Sequence, residues 1–306
     1  MSTMPEGASV RVEVAQECIA QPASDSATAY GVQGRARVKG HSSITDKEFA
    51  LFRDLIFEIA GIHLSDAKKA LVSGRLGRRR RHHGFATFRQ YHDLVTRQDQ
   101  ALERQIMVDH LTTNETYFFR EPKHFDFLRD VLMPRFSNVP ELRIWSAACS
   151  SGEEPYSIGM VLADGRTDNW RLLGTDISAR VLEAARKGIY PLEDTARIPP
   201  QFLQRFCLKG IRSQAGSFMV DRAIRERIEF RPLNLNGEWP ALGRFHAIFL
   251  RNVMIYFNPT TKARLVQRLI AHLEPGGFLI TGHSESLNGI RTSLRMVTPS
   301  VYQLGR

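Results

Sequence analysis

Residues 142–157 read LRIWSAACSSGEEPYS and combine the features of a nucleotide-type binding site. Leu142–Trp145 is a short strand-like run, and the small residues that follow it, up to Gly152, let the backbone approach a ligand closely. The helix predicted over about 155–163 offers free N–H groups at its start. Asp176 lies 24 residues beyond Gly152, at the end of the next predicted strand, where an acid can accept hydrogen bonds from both ribose hydroxyls. The stretch predicts a ligand site beyond the carboxyl ends of parallel strands.

The composition of this loop narrows the choice of ligand. It contains a single glycine and does not match the G-x-G-x-x-G pattern that seats a pyrophosphate. A dinucleotide is therefore disfavoured, and S-adenosylmethionine, which carries no phosphate, is favoured. On these residues alone, a dinucleotide oxidoreductase and a plain strand–helix turn without a ligand both stay open.

Strand-like and helical segments alternate on both sides of this stretch. Strand patterns occur at Leu142–Trp145, Arg171–Gly174, Arg227–Phe230, Phe245–Leu250 and Gly277–Thr281. Helical patterns lie between several of them, near 155–163, 178–187 and 260–273. The alternation predicts an α/β fold with a doubly wound parallel sheet. Residues 206–222 interrupt it with two short apolar runs around a Gly-containing turn, which predicts an inserted hairpin.

The N-terminal part of the chain shows no strand pattern. Residues 1–40 are rich in Ser, Ala, Gly and Thr without a sustained period, and we expect a flexible extension. Thr45 followed by Glu48 is a capping-box signature, and helical spacing of apolar residues continues from there. We therefore predict three parts: the extension 1–40, an all-α domain 41–112, and an α/β domain 113–306 with a small β-subdomain at about 206–222.

Composition limits the environment and the partners. Three distant cysteines form neither a disulfide framework nor a C-x-x-C pair, so we expect reduced thiols. No apolar stretch is long enough to cross a membrane and no signal pattern opens the chain, so we expect a soluble, cytoplasmic protein. The formal net charge of +10 favours an anionic partner: nucleic acid, an anionic membrane face or an acidic protein surface.

The positive charge is concentrated in one predicted helix. Arg75 and Arg78–Arg81 place five arginines in seven residues, shortly after Lys68 and Lys69. Helical spacing spreads these charges around the circumference, so we expect the stretch to be solvent-exposed or to meet an anionic surface. A solvated face without a partner stays open, whereas nucleic acid is disfavoured because no aromatic platform is interleaved with the arginines.

Histidines are not spaced as metal ligands. His82, His83 and His110 lack partners at such spacing, and we expect His283 to be structural and the protein to hold no metal.

Four long segments, in order along the chain, resemble the signatures of the CheR family of chemotaxis receptor glutamate methyltransferases. They are Leu111–Glu121 (LTTNETYFFRE), Trp145–Ser157 (WSAACSSGEEPYS), Arg251–Phe257 (RNVMIYF) and Gly282–Glu285 (GHSE). The resemblance runs from about residue 45 to the C-terminus. It implies a helical N-terminal domain followed by a class I methyltransferase domain with a doubly wound sheet and a small inserted β-subdomain. It also implies S-adenosylmethionine as methyl donor, S-adenosylhomocysteine as product, and glutamates on acidic receptor helices as substrate.

The resemblance assigns expected roles by matching position. Cofactor contacts fall on Asn114, Thr116, Arg120, Glu154, Asp176, Asn234, Leu235, Arg251 and Asn252, and the catalytic centre on Arg120 and Tyr256. An arginine-rich helix facing receptor glutamates makes Arg75, Arg78, Arg79 and Arg81 the expected substrate contacts. We expect no nucleic-acid partner, no membrane insertion and a monomeric enzyme.

Two sequence features bear on the alternatives. A nucleic-acid methyltransferase on this fold would favour an amine-activating Asn-Pro-Pro-Tyr motif, which the segment Arg251–Tyr256 lacks, and a non-catalytic regulator would lack Arg120 or Tyr256, which are both present. Some CheR proteins bind a receptor C-terminal pentapeptide as an added strand and resemble one another in a Gly-x-Gly turn. Here the matching residues are Gly210-Ile211-Arg212, so we expect a backbone shape favoured by glycine to be lost and the enzyme to work without this tether.

Overall fold

The structure is a computed structural model that describes residues 43–165 and 169–305. The predicted extension 1–40, and Cys18 within it, lie outside the described residues. Four helices form the N-terminal unit: α1 Asp46–Ala60, α2 Lys69–His82 with a preceding 3-10 turn Asp66–Lys68, α3 Phe88–Val95 and α4 Ala101–Leu111. The capping box at Thr45 and Glu48 is present at the start of α1, and Gly61 ends that helix in a left-handed conformation.

The larger unit contains a seven-stranded sheet. In chain order its strands are β1 Leu142–Ala147, β2 Trp170–Asp176, β6 Ile228–Pro232, β7 Phe245–Leu250, β8 Leu273–Thr281, β9 Leu294–Thr298 and β10 Val301–Leu304. They lie side by side in the order β6-β2-β1-β7-β8-β10-β9. The first five are parallel, and β10 and β9 extend the sheet in antiparallel pairing. The predicted doubly wound sheet is confirmed, with two C-terminal strands that the sequence pattern did not predict.

Helices cover both faces of this sheet. The chief ones are α7 Glu153–Asp164, α8 Ala179–Lys187 and α11 Pro259–Ala271, and the shorter ones are α5 Lys123–Phe127, α6 Met133–Arg135, α9 Pro200–Phe206 and α10 Arg222–Arg225. Neighbouring residues of one strand enter opposite apolar layers: Ile144 packs with the layer that contains α7, and Trp145 with the layer that contains α11. This alternation on a sheet buried on both faces explains why its strands are apolar throughout.

A second, three-stranded antiparallel sheet forms the inserted β-subdomain. The hairpin predicted at about 206–222 consists of β4 Cys207–Lys209 and β5 Ser217–Val220, and β3 Ile189–Pro191 pairs with the other side of β5. The sheet therefore begins before the predicted hairpin. Over the two described ranges, no helix is both long and apolar enough to cross a membrane.

The two units meet at the carboxyl edge of the large sheet. The backbone N–H of His63 donates to the Tyr256 carbonyl at 2.8 Å, and the Asn234 amide donates to the Ile59 carbonyl at 2.6 Å. Arg75 of α2 also donates to the carbonyls of Leu111 and Thr112 in the segment that joins the units. These contacts hold the helical unit over the point where β2 and β7 flank β1, which is the switch point of a doubly wound sheet.

Candidate active site

One large cavity lies at this edge, between the ends of β1, β2 and β7 and the helical unit. Its volume is about 1220 Å³, including the open mouth. Every residue predicted for cofactor contact or catalysis lines it: Asn114, Thr116, Arg120, Glu154, Asp176, Asn234, Leu235, Arg251, Asn252 and Tyr256. The helical unit adds a wall that includes Ile62, His63 and Lys68. Residues as far apart in the sequence as Ile62 and Tyr256 thus face one space.

The loop after β1 is fixed by Asp176. One carboxylate oxygen of Asp176 accepts a hydrogen bond from the Ser150 N–H at 2.8 Å, and the other accepts from the Ser178 N–H at 2.9 Å. Burial raises the pKa of Asp176, and these backbone hydrogen bonds lower it in part. Each oxygen keeps a further acceptor position. Asp176 therefore shapes the loop and still offers two acceptors to the cavity.

Gly152 has a different role from the one its sequence position suggests. It does not line the cavity; a Cβ atom there would lie 2.9 Å from both the Ala185 Cβ and the Tyr190 hydroxyl, and its φ is +99°. Glycine is required here for packing against α8 and β3. Close approach of a ligand falls instead to Ala148, Cys149 and Ser150, which do line the cavity.

Arg251 is the centre of a buried charged network. Its guanidinium donates to Glu154 at 2.8 Å, to Glu121 at 3.2 Å and to the backbone carbonyl of Arg120. Its side chain is 2% exposed. The second oxygen of Glu154 accepts from the Ser146 hydroxyl at 2.7 Å. The first turn of α7 is thus joined to the end of β7 by an ion pair, and each oxygen of Glu154 accepts one hydrogen bond.

Arg120 contrasts with this arrangement although it lies next to it. Its guanidinium donates to the Glu115 carbonyl at 2.9 Å and lies 5.6 Å from the centre of the Tyr117 ring. Within the part of the chain that the structure describes, it forms no ion pair with a carboxylate. Its fork is therefore available to an anionic group entering the cavity.

Several residues around the cavity adopt left-handed backbone conformations that are rare for residues other than glycine. They are Phe119, Glu121, Ala148, Ser150 and Asn252, with φ between 51° and 72°. Such conformations cost free energy and persist where the surrounding structure fixes them. Their concentration at this edge of the sheet marks it independently of any sequence motif.

Glu121 and Glu285 support the site and were not among the residues that the sequence predicted. Glu121 accepts from Arg251, from the Asn252 amide at 3.3 Å and from the His283 N–H at 3.2 Å. Glu285 accepts from the backbone N–H of Asn252 at 2.7 Å. Both acids end sequence motifs quoted above, so their position in those motifs was the available signal.

The arginines of α2 divide into two groups. Arg79 pairs with Glu103, which also accepts from the Tyr91 hydroxyl at 2.8 Å. Burial raises the pKa of Glu103, but hydrogen bonds from Arg79 and Tyr91 lower it overall. Arg80 is 5% exposed and lies 4.8 Å from the centre of the Phe88 ring. The expectation that the whole stretch faces outward is wrong for these two, because both side chains pack inside the helical unit.

The remaining three arginines stay candidates for substrate contact to different degrees. Arg78 and Arg81 are exposed. Arg75 is half-buried and uses part of its guanidinium on the Leu111 and Thr112 carbonyls.

Glu121, His124 and His283 bring three possible metal-ligand atoms within 4.8 Å of one another. Arg251 already donates to Glu121 there, and its charge disfavours a divalent cation. Burial, and then the charge of Arg251, lower the pKa of His124 to about 3. The two histidine rings pack edge to face with centroids 4.9 Å apart. The lowered pKa favours a neutral His124.

Comparison with known proteins identifies the type of site. A family model described as the CheR methyltransferase, SAM binding domain, matches residues 114–302, and the CheR methyltransferase, all-alpha domain, matches residues 47–112. The chemotaxis protein methyltransferase of Escherichia coli is 39% identical over 268 residues, which cover 86% of this chain and 93% of that protein. Chemotaxis protein methyltransferase 2 of Pseudomonas aeruginosa is 40% identical over 262 residues, 84% of this chain and 93% of its own length.

Proposed function

The chain belongs to the CheR family of S-adenosylmethionine-dependent methyltransferases, and we propose that it esterifies glutamate side chains of chemotaxis receptors. The product would be a glutamate methyl ester, formed in the cytoplasm by a monomeric enzyme. The observation that carries the proposal is Arg120: a guanidinium that lines the cofactor cavity without a carboxylate partner among the described residues.

The cavity suits a cationic ligand without phosphates. Three acids, Glu115, Glu154 and Asp176, line it, and a pyrophosphate beside them would meet like charge. Leu235, Ile177 and Phe257 add apolar surface suited to an adenine ring. When bound, S-adenosylmethionine supplies a methyl group activated by the positive sulfur atom next to it. Together with the match to a SAM binding domain over residues 114–302, these acids favour S-adenosylmethionine over the dinucleotide that the sequence left open.

We assign the cofactor contacts by chemistry and by family position. Asp176 would accept from the ribose hydroxyls through its two open acceptor positions, and Glu154 would attract the amino group of the methionine part. The remaining proposed contacts are Asn114, Thr116, Arg120, Asn234, Leu235, Arg251 and Asn252. The Asn234 side chain is occupied by the Ile59 carbonyl and the Asn236 N–H, so its contact would come from the backbone.

The proposed chemistry requires alignment rather than proton removal. A glutamate side chain with an ordinary pKa near 4.3 is ionised at neutral pH, so its oxygen is already nucleophilic. Arg120 would orient that carboxylate through its planar fork, and holding two reactants in line supplies several kcal/mol of the barrier. Tyr256 also lines the cavity, where its hydroxyl would donate to the carboxylate or its ring would line the path of the methyl group.

Receptor recognition is proposed to fall mainly on Arg78 and Arg81. They are the exposed members of the arginine-rich helix, and acidic receptor helices would supply the opposite charge. Arg75 would contribute less, because backbone carbonyls already occupy part of its guanidinium. Arg79, which the sequence also suggested, is bound to Glu103 and would act by holding the helix in place.

We also propose that the enzyme works without a receptor pentapeptide. Of the two sequence differences expected at Arg212, in backbone shape and in side chain, only the second is found. Arg212 adopts a φ of 52°, so the left-handed backbone expected to be lost with glycine is retained. What remains is the exposed arginine side chain itself, which a glycine would not place beside β4 and β5. Calorimetry with a receptor C-terminal pentapeptide tests this, and a micromolar dissociation constant would contradict it.

Transfer of tritiated methyl groups from S-adenosylmethionine to purified receptor cytoplasmic fragments tests the main proposal. Esters release methanol in mild alkali, so the label should be volatile after base treatment. A fragment with its candidate glutamates replaced by alanine is the matched control and should remain unlabelled. Label that survives alkali, or label on the control fragment, would show that a different group is methylated.

A further inference from the structure

The segment Gly282–Glu285 carries a buried acid with no assigned role. One oxygen of the Glu285 carboxylate accepts from the backbone N–H groups of Asn252 at 2.7 Å and Gly282 at 2.8 Å. The other accepts from the Ile255 N–H at 3.2 Å. The side chain is 5% exposed. Two of its three partners belong to the loop that follows β7.

The chemistry of these partners requires a carboxylate. Glu285 forms no ion pair with a residue in 43–165 or 169–305, so its charge is balanced by backbone N–H groups alone. Burial raises the pKa of Glu285, and hydrogen bonds from Gly282, Asn252 and Ile255 lower it in part. A glutamine of the same shape would turn an NH₂ group towards at least one N–H, leaving buried donors without an acceptor.

The loop held in this way carries residues proposed for cofactor contact and catalysis. Asn252 has a φ of 59°, which costs free energy unless its surroundings enforce it. Tyr256 ends a short 3-10 turn, Met254–Tyr256, whose Ile255 N–H is one of the groups bound by Glu285. The turn at Gly282 fits closely against the same loop, since a Cβ atom there would lie 2.7 Å from the Asn252 amide nitrogen.

We propose that Glu285 is a positioning residue for methyl transfer: it binds the backbone of the loop after β7 and thereby sets the places of Asn252 and Tyr256. The inference rests on the proposed function of that loop. Glu285 does not line the cavity, so it acts through the loop and not by touching the ligand.

The test compares Glu285→Gln with Glu285→Asp. The control variant is Glu274→Gln, because Glu274 lies near the start of β8, away from the carboxyl edge where the cavity lies. S-adenosylhomocysteine affinity is measured by calorimetry, kcat and both KM values by methyl transfer to receptor fragments, and folding by thermal unfolding. In Glu285→Gln we expect S-adenosylhomocysteine to bind roughly tenfold or more weakly, since one buried donor loses its acceptor. The KM for S-adenosylmethionine should rise and kcat fall, with the receptor KM unchanged. Aspartate should recover part of the loss, and Glu274→Gln should match the parent protein.

A Glu285→Gln protein that melts at a lower temperature but keeps the parent affinity and kcat would show a purely structural role and overturn the inference. Should that variant fail to fold, Gly282→Ala displaces Asn252 directly and is expected to weaken S-adenosylhomocysteine binding while the receptor KM stays constant. Unchanged binding in Gly282→Ala would also overturn it. Cofactor affinity is measured without a receptor, so a parent protein that binds S-adenosylhomocysteine but does not label receptors would refute the proposed substrate and leave this test intact.

Discussion

Arg251 donates a hydrogen bond to the backbone carbonyl of Arg120, yet the side chains of these two arginines have opposite surroundings. Arg251 is buried, donates to Glu154, Glu121 and that carbonyl, and has its charge balanced by acids of this chain. Arg120 donates to one other carbonyl and has no acid partner among the described residues. The first arginine links distant segments of this chain, whereas the second, under the proposed function, orients the substrate carboxylate. The two identical side chains differ in this way because their partners differ.

The same division occurs within α2. Arg79 and Arg80 pack inside the helical unit, while Arg78 and Arg81 face outward. Positions 78 to 81 span little more than one helical turn, so consecutive arginines necessarily point to different surroundings. A dense run of charge is thus divided between buried side chains that belong to the fold and exposed side chains that form the proposed receptor surface.

The largest expected effect is a loss of stability when the buried Arg251 is replaced. Arg251→Met removes the cation between Glu121 and Glu154 and leaves two half-buried acids without it, so the free energy of unfolding should fall by about 3–5 kcal/mol. Urea unfolding measures it. Arg120→Met is the matched control and should change stability by less than about 1 kcal/mol. Equal losses of unfolding free energy in the two variants would show that Arg251 and Arg120 do not differ in structural role.

The free arginine should instead control turnover. Arg120→Lys keeps the charge but loses the planar fork, and we expect kcat/KM for receptor methylation to fall about 100-fold, or about 2.7 kcal/mol. Methyl transfer to receptor fragments measures the loss, and thermal unfolding should match the parent. Full activity in the lysine variant would mean that charge alone is sufficient and that bidentate orientation plays no part.

We expect smaller effects from replacing the arginines of α2, and the exposed and buried ones should differ in kind. Replacing Arg78 and Arg81 together by alanine should raise the receptor KM several-fold at low salt, and the difference should shrink as salt rises, because exposed charges are screened. Stability should change little. Arg79→Ala provides the contrast: it leaves Glu103 without its cation, so unfolding should become easier by about 2 kcal/mol. A salt-independent KM change in the double variant would count against electrostatic recognition.

The smallest effect concerns the acid at the end of β2. Burial raises the pKa of Asp176 above its value in the unfolded chain, so ionisation of this group opposes folding. Its favourable contribution is present at low pH and is lost as pH rises through the raised pKa. Relative to Asp176→Asn, the parent protein should therefore gain stability as pH falls through the raised pKa towards the unfolded value of about 3.9, by at most about 1.4 kcal/mol per pH unit. Parallel urea titrations of both proteins at several pH values measure this difference. A parent protein that loses stability relative to Asp176→Asn as pH falls would contradict the prediction.

Much of the α/β core could be predicted because its strands are apolar on both faces. The five predicted strands correspond to β1, β2, β6, β7 and β8. The antiparallel strand β9 was missed, since at the edge of the sheet its residues Met296 and Val297 are 67% and 50% exposed and show no clean alternation. The small sheet was only partly predicted, because β3 pairs with β5 across a long connection.

The candidate residues were predictable from the sequence through motifs that resemble the CheR family, and Asp176 also through its place at a strand end, since loops that follow parallel strands converge on one edge. Partnership among those residues was not. Arg251 lies 97 positions from Glu154 and 130 from Glu121, and no local pattern links them. The sequence by itself determined the five parallel strands of the core and carried the motifs whose side chains line the cavity, because strand period and motif residues are local properties. Only the tertiary structure decided which arginine pairs with acids, which does not, and that Glu285 accepts hydrogen bonds from the loop after β7, because these depend on contacts that form when distant segments pack.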